Sequence, residues 1–595
     1  MYPIVCDTAN DTCLAYGGPL LSPESIVSPT AEMKMVGSSK LDGGSVLRSG
    51  VFLTTPTDSA LYYHLASNRL AMFDVSTFAP VQLAPVLLSL LALVYIARHT
   101  VIRRHQDIER LPGPSRKDAT WLWGHELLAF ENCPTDMYTR WAAAFGTFFK
   151  IKGAFFHRDI IVATDHAAVQ HILQYSDDYV KETGMREVAG TILGRGIVWA
   201  EGQEHTKQRR LLAPAFSPEA IKGMTDDISE SSAKLESRLT NLVLARGVTV
   251  NVADYISMCT LDIIGRIGFG HDFKSGQSAE AKEIRAVWEK QVNASNTFKA
   301  FVGSLLLRTF PILTSLPLPV MKEARRTREI VSELATRLLR HGYFSDKGRD
   351  ILSILMCAGN KDGAKEKLSA TEIVDNITTF LLVGHETTAG SLSFILWELA
   401  RHPEIQQKLR EEIRQFGGNI NYDDIQQLSY LDAVVKEGLR LHPASPMTER
   451  VALKDDVIPL NKPVCTSNGQ TVSSISVKAG QVFHIPFVSM QVNTDVWGPN
   501  AAEFVPERWI DPGGVLPPAE LPHGWSGLVA FCDGPRNCIG YRLAVFEFKV
   551  ILATLIRTLE LHDTSANVEL KIKPTLQAFV DGRGGFLPIH VTLAP

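Results

Sequence analysis

The chain has 595 residues, 45% of them hydrophobic and 21% charged, with a formal net charge of −4. That is globular composition with length for a large core, and the absence of a long Lys/Arg block removes the electrostatic footprint of nucleic-acid binding. The 8 cysteines are scattered without a C-x-x-C pair, which argues against a structural zinc site and a disulfide framework.

Residues 1–74 are rich in Ser, Thr, Gly and Pro and show no sustained periodicity, so they read as a mostly disordered extension. Asn10-Asp11-Thr12 is a glycosylation sequon, usable if the extension is lumenal. Cys6 and Cys13 are free to pair there. Met72 offers an alternative start, which would make residues 1–71 a gene-model artefact. The run 75–97 carries no charge and lies between Asp74 and the basic residues Arg98, Arg103 and Arg104. About 20 apolar residues suffice for a membrane-spanning helix. The basic flank stays cytosolic, which leaves residues 1–74 on the far side. A buried core helix or a signal-peptide segment is the alternative, although no small-residue cleavage site follows.

Residues 98–115 form a basic, proline-rich linker ending in Leu111-Pro112-Gly113-Pro114, a stiff non-helical connector. Beyond it, residues 116–595 are dominated by helix-period runs at 284–307, 320–343 and 370–401. Strand-like runs are short, at 148–151, 160–163 and 482–486, and the tail 568–593 alternates around a Gly-rich turn at 582–585. The expected fold is mainly α with small β-sheets. His125-Glu126 and His385-Glu386 lack the second His of a zinc-protease helix, and no phosphate-binding Gly-rich motif is present.

The chemistry concentrates in FCDGPRNCIG, residues 531–540. Glycines allow a tight loop that brings backbone N–H groups near one sulfur. A thiolate needs such donors or positive charge, and Arg536 and the N–H groups after Cys538 supply both. A strong helical pattern follows, so the sulfur of Cys538 sits just ahead of a helix N-terminus. That suits a thiolate metal ligand; a small buried hydrophobe is the alternative. Cys532 reads as packing.

Phe531, Gly534, Arg536, Cys538 and Gly540 fit F-x-x-G-x-R-x-C-x-G, and this stretch resembles the haem-binding loop of the cytochrome P450 family. Glu437-Gly438-Leu439-Arg440 resembles the family's E-x-x-R, residues 504–509 (FVPERW) its Pro-Glu-Arg segment, and Gly384-His385-Glu386-Thr387-Thr388 its oxygen-activating helix. The resemblance covers about residues 100–595 and implies one catalytic domain behind the transmembrane helix, in place of the several domains that length alone suggests. It implies heme b with Cys538 as axial iron ligand, Phe531 shielding the sulfur, and Arg536 on a propionate. His205 and Arg209, in GIVWAEGQEHTKQRRLLAPAF, are similar to the family's other propionate pair, and Arg450 matches a basic position near the haem. Lys207 and Arg210 remain as surface charges for an acidic reductase. Glu437, Arg440 and Arg508 are expected to form a bracing network.

Glu386 and Thr387 are expected to act as the acid–alcohol pair of proton delivery. The alternative for Thr387 is a bond back to the carbonyl of Val383. Val383 stands where the family often has Ala, which narrows the pocket. By the resemblance, the substrate pocket draws on residues 185–193, 379–383, 444–448 with Met447, and the turn 579–586 with Phe579.

The implied activity is insertion of one oxygen atom from O2 into a lipophilic small molecule of secondary metabolism, terpenoid-like in character, by an enzyme anchored in the endoplasmic reticulum membrane. The chain has no flavin or nucleotide motif, so electrons are expected from NADPH through a separate NADPH–cytochrome P450 reductase. Two alternatives keep the haem: an NADPH-independent hydroperoxide isomerase or dehydratase, and a non-catalytic haem sensor. An intact Glu386-Thr387 pair argues against both.

Overall fold

The computed structural model describes residues 106–595, apart from 156, 244–246, 311–312, 314–318, 342–349, 354–366, 418–420 and 516–520, together with 89, 90 and 93. Asn10, the extension 1–74, and nearly all of the expected anchor 75–97 lie outside the described residues. No helix among the described residues is long and apolar enough to cross a membrane. Residues 84–595 belong to one unit.

Seven helices position the site: α1 Thr183–Leu193, α2 Gly202–Leu212, α3 Val252–Phe269, α4 Ala279–Ser295, α5 Ala370–Arg401, α6 Ser429–Leu441 and α7 Tyr541–Thr558. Helix α5 has 32 residues, and its start is set by a reciprocal cap in which Ser369 accepts from the Glu372 N–H and Glu372 accepts from the Ser369 N–H. At about 1.5 Å per residue it runs through the whole domain. It is apolar almost all round, which a helix tolerates only when enclosed by others, and its Ile377, Leu381, Leu392, Ile395 and Leu399 are wholly buried. The run expected to be helical over 284–307 is broken: α4 ends at Ser295, and a second helix, Phe298–Thr309, starts after Thr297 caps it.

The strands are β1 Phe148–Ile151, β2 Ile160–Ala163, β3 Tyr179–Val180, β4 Val248–Asn251, β5 Thr448–Ala452, β6 Asp456–Cys465, β7 Thr471–Val477, β8 Val482–Ile485, β9 Leu559–Asp563, β10 Glu569–Ile572, β11 Leu576–Val580, β12 Arg583–Gly584 and β13 Pro588–Leu593. One sheet has the order β1-β2-β8-β5-β3, with β2 and β8 parallel and the other neighbours antiparallel. Two three-stranded sheets, β4-β13-β9 and β10-β11-β12, and the hairpin β6-β7 complete the β structure. The largest apolar core lies around α3, α5, α6 and α7; a second lies beneath the five-stranded sheet and the hairpin.

Candidate functional site

A cavity of about 350 Å³ lies between α5, α7, the 530–540 loop and the first residues of β5. That volume is within the usual range for a small-molecule site, about 300–1,000 Å³. Its apolar wall includes Ile264, Phe380, Val383, Leu439, Phe531 and Leu543, with hydroxyls from Thr379, Thr387 and Thr448.

Cys538 lines this cavity, and its side chain is exposed there. The loop is pinned on both sides. The Cys538 N–H donates to the Phe531 carbonyl (2.8 Å), and Arg209 on α2 donates to the Asn537 carbonyl (2.6 Å) and to its side-chain oxygen. Phe531 packs edge-on against Trp525 at 5.0 Å. Gly534 has φ +65°, and a Cβ there would stand 2.4 Å from the Leu173 carbonyl oxygen, so two constraints demand glycine. Gly540 serves differently: a Cβ there meets only Phe216 at 3.6 Å, but its N–H bonds the Cys538 sulfur. Burial raises the thiol pKa, opposed by that N–H and by Arg209. The neutral thiol is therefore the resting form without a metal, and a bound cation would reverse the balance.

One end of the cavity is crowded with positive charge. Lys181, Arg209, Arg450 and Arg536 all line it, with His205 beside them. Nearby stands Glu201, 2.8 Å from Lys181 and 3.5 Å from Arg536. Arg536 Nη1 is buried and makes no hydrogen bond. Burial, helped by the charges of Arg450 and Arg209 and opposed by Glu201, lowers the pKa of Arg536 to about 10. Burial, then Arg536, lowers Lys181 to about 7 despite its bond to Glu201. His205 is brought to about 3 by burial and then by Arg536 and Arg209. So many cations facing one another without enough anions mark a site built for an acidic ligand. A thiol, apolar walls and a cationic end fit a haem: sulfur for the iron, cations for the propionates.

The structure brings Cys538, Arg536, Phe531, Gly540, His205, Arg209, Arg450, Thr387 and Val383 to one cavity. Cys532, read as packing, also lines it, with Arg450 Nη2 3.9 Å from its sulfur. Lys181, on no motif, was not anticipated. Residues 194–198 carry Ile197 and Val198 into the wall, held by α5: Asp375 accepts from the Arg195 N–H and Asn376 from the Ile197 N–H, both at 2.9 Å.

Other expected site residues lie elsewhere. Met447 packs against a smaller cluster that includes Tyr138, Trp141 and Phe149, on the face of the five-stranded sheet opposite the second core. Phe579 is buried in β11, where its ring would stand 2.6 Å from a Cβ at Gly584. Neither reaches the cavity, nor does any residue of 185–193; Met185 is half exposed instead. Lys207 is tied to Glu372 at 2.9 Å. Thr387 Oγ1 donates to the Val383 carbonyl at 2.8 Å. Glu386 lines a second, polar cavity of about 240 Å³, where Ser257 donates to it at 3.3 Å.

The predicted bracing network is dense. Glu437 accepts from Arg440 Nε and Nη2, both at 2.8 Å, from the Val505 N–H at 2.9 Å, from Trp509 at 3.0 Å and from Arg508 Nε at 3.3 Å. Arg440 Nη1 also donates to the Gln491 and Ala501 carbonyls at 2.5 Å. Both charges are wholly buried.

Known proteins agree with this geometry. The family model "Cytochrome P450" matches residues 114–583. Cytochrome P450 monooxygenase 205 of Postia placenta is 32% identical over 79% of this chain and 89% of its own length. Cytochrome P450 monooxygenase claP of Ampulloclitocybe clavipes is 34% identical over 71% and 81%. Ganoderic acid synthetase CYP5150L8 of Ganoderma lucidum is 31% identical over 68% and 79%. A cysteine loop pinned beneath a long helix, facing cations that lack anions, thus stands in a chain matched along most of its length, and this protein belongs to the cytochrome P450 family.

Proposed function

We propose that the protein is a haem-thiolate monooxygenase that inserts one oxygen atom from O2 into a lipophilic small molecule. The observation that carries this reading is the Cys538 sulfur facing a cavity with a cationic end. Cys538 would hold the iron, and Lys181, Arg209, Arg450 and Arg536 the propionates. The haem, when bound, supplies oxygen activation and transfer to carbon. The chain supplies the rest. With iron bound, Arg209 and the Gly540 N–H would favour the anionic sulfur that burial alone disfavours. Val383, Phe380, Ile264 and Ile197 exclude water and orient an apolar skeleton, while Thr379 and Thr448 offer it hydroxyls. Thr387 commits its proton to the Val383 carbonyl and can accept a bond from a donor in the cavity.

Electrons would come from NADPH through a separate reductase. The uncharged run 75–97 with arginines behind it supports an endoplasmic reticulum anchor with the catalytic domain in the cytosol. The similarity to a ganoderic acid synthetase supports a role in secondary metabolism, and the apolar wall with its few hydroxyls supports a lipophilic, terpenoid-like skeleton. Reduction under carbon monoxide tests the core of the reading. The wild type should give the red-shifted Soret band of a thiolate-ligated haem, and Cys538→Ser should lose it. A serine variant that keeps the band ends the assignment. Product formation that requires NADPH and a reductase separates monooxygenation from rearrangement of a hydroperoxide.

A further inference from the structure

Between α1 and α2 the chain crosses residues 194–201 without helix or strand. Two of them, Ile197 and Val198, enter the wall of the main cavity. Within itself the loop closes one turn, in which the Gly196 carbonyl accepts from the Trp199 and Ala200 N–H groups, both at 3.0 Å. Further backbone groups are held from outside. Thr379 donates to the Leu193 carbonyl at 3.1 Å, the Arg195 N–H donates to Asp375 at 2.9 Å, and the Ile197 N–H donates to Asn376 Oδ1 at 2.9 Å. From α2, Gln208 Nε2 donates to the Arg195 carbonyl at 3.3 Å. Two of these side chains also bond each other: Asn376 Nδ2 donates to Gln208 Oε1 at 3.1 Å, and to the Glu372 carbonyl at 2.8 Å. The result is a closed ring, from Ile197 to Asn376 to Gln208 and back to Arg195. The Ile197 N–H only donates and the Arg195 carbonyl only accepts, so the ring runs in one sense. Asn376 and Gln208 are wholly buried, and any other arrangement would leave a polar group unpaired in a dry interior.

We propose that Asn376 and Gln208 are positioning residues for substrate selectivity: their amide ring fixes how far Ile197 and Val198 reach into the cavity, and with that the size and orientation of the apolar skeleton admitted. The proposal deepens the monooxygenase reading and rests on it. Neither amide lines the cavity, so both act through the wall. The loop lies hard against α5, where a Cβ at Gly196 would stand 2.6 Å from Thr379 Oγ1 and 3.0 Å from Asn376 Oδ1. In an apolar pocket one methylene of fit is worth about tenfold or more in discrimination, so a small retreat of two branched side chains changes what is bound.

Neighbouring contacts support the same wall. Asp375, next to Asn376, accepts from Arg328 of the helix Pro319–His341 at 2.7 Å as well as from the Arg195 N–H. Gln208 stands next to Arg209, whose guanidinium donates instead to Asn537 in the sulfur loop. One residue of α2 thus serves the wall and its neighbour the haem end, which lets substitution separate the two.

The test uses the haem-loaded full chain and two probes that bind haem iron through a ring nitrogen, imidazole and phenylimidazole, each followed by its Soret shift. The ratio of their affinities reads the room left in the cavity and needs no turnover. Asn376→Asp keeps the bond from the Ile197 N–H but sets a carboxylate oxygen against Gln208 Oε1. Gln208→Glu keeps the bond from Asn376 but sets one against the Arg195 carbonyl. Each breaks the ring at one link with almost no change of size. Both should shift the ratio about tenfold toward phenylimidazole with the affinity for imidazole unchanged, and Ile197→Ala should shift it the same way. Lys207→Met is the control, because it cuts the 2.9 Å ion pair with Glu372 that joins the same two helices and leaves the ring intact. An equal shift in Lys207→Met would reduce the ring to a structural brace and overturn the proposal. An unmoved ratio in the amide variants or in Ile197→Ala overturns it as well, and so does loss of haem from both amide variants, which would assign the ring to the haem end. The carbon monoxide spectrum keeps the two readings apart. A wild type without the thiolate band ends the monooxygenase reading, whereas amide variants that keep the band with an unmoved ratio end the selectivity role alone.

Discussion

At the scale of single residues, the most demanding position is Arg440. Its guanidinium spends its donors on Glu437 and on three carbonyls, those of Gln491, Ala501 and Glu503, with no exposure at all. Removing one partner of such a pair strands the other charge, at a cost of about 3–5 kcal/mol. Arg440→Ala should therefore lower the denaturation midpoint steeply, and Arg440→Lys should fail to rescue it, because an ammonium cannot reproduce the planar fork. Urea unfolding measures both; a lysine variant of wild-type stability would show that one point charge suffices. The three members of this network were legible in the sequence because E-x-x-R and Pro-Glu-Arg are fixed spacings. Lys181 was not. It follows the two-residue strand β3 with no pattern around it, and only the fold brings it to Arg536. Phe579, expected in the substrate pocket, lies outside the cavity for a related reason. Strand β11 is buried on both faces, so no alternation says which side meets a ligand.

At the scale of elements, α5 and α6 pack so closely that Gly438 has no room for a side chain. A Cβ there would stand 2.2 Å from Ile395 Cγ1. Overpacking of this kind costs about 1–3 kcal/mol. Gly438→Ala should lower stability by that amount, and Ile395→Ala, which removes both clashing carbons, should cost less in that chain than it does alone, since contacting sites do not add. A double variant no better than the sum of its parts would place the strain elsewhere. Because α6 also carries Glu437 and Arg440, the crossing sets where the network meets the site loop. The long helix α5 was readable at both ends, from its period and from Ser369 with Glu372 three places on. The break at 296–297 was not, because the helical pattern resumes at Phe298 after only a short polar stretch, Ser295-Asn296-Thr297, and the stop is a local cap by Thr297. The second cavity had a faint signal: Ser257, Thr260 and Asp262 interrupt an otherwise apolar, largely buried α3, and polar groups inside a core mark either a partner or a passage.

At the scale of the whole molecule, the unmatched cations make the haem-free protein less stable than the ligand-bound one. Lys181 has a folded pKa of about 7 against its ordinary 10.5. Between those values the unfolded chain binds a proton that the folded chain has released. Stability of the haem-free protein from this group therefore rises as pH rises through that window. Binding an acidic cofactor places anions beside Lys181, restores its charge in the folded state and closes the window. Haem-free protein should accordingly gain stability between about pH 7 and 9 relative to Lys181→Met, while the two should run parallel once loaded. Loading itself should stabilise the wild type by about 2.7 kcal/mol at a hundredfold excess over the dissociation constant, and Lys181→Met by less at equal haem because it binds more weakly. Urea titrations of both proteins, with and without haem, at several pH values measure all four quantities. Parallel pH curves for the two haem-free proteins would remove Lys181 from the balance and leave the arginines alone to receive the propionates.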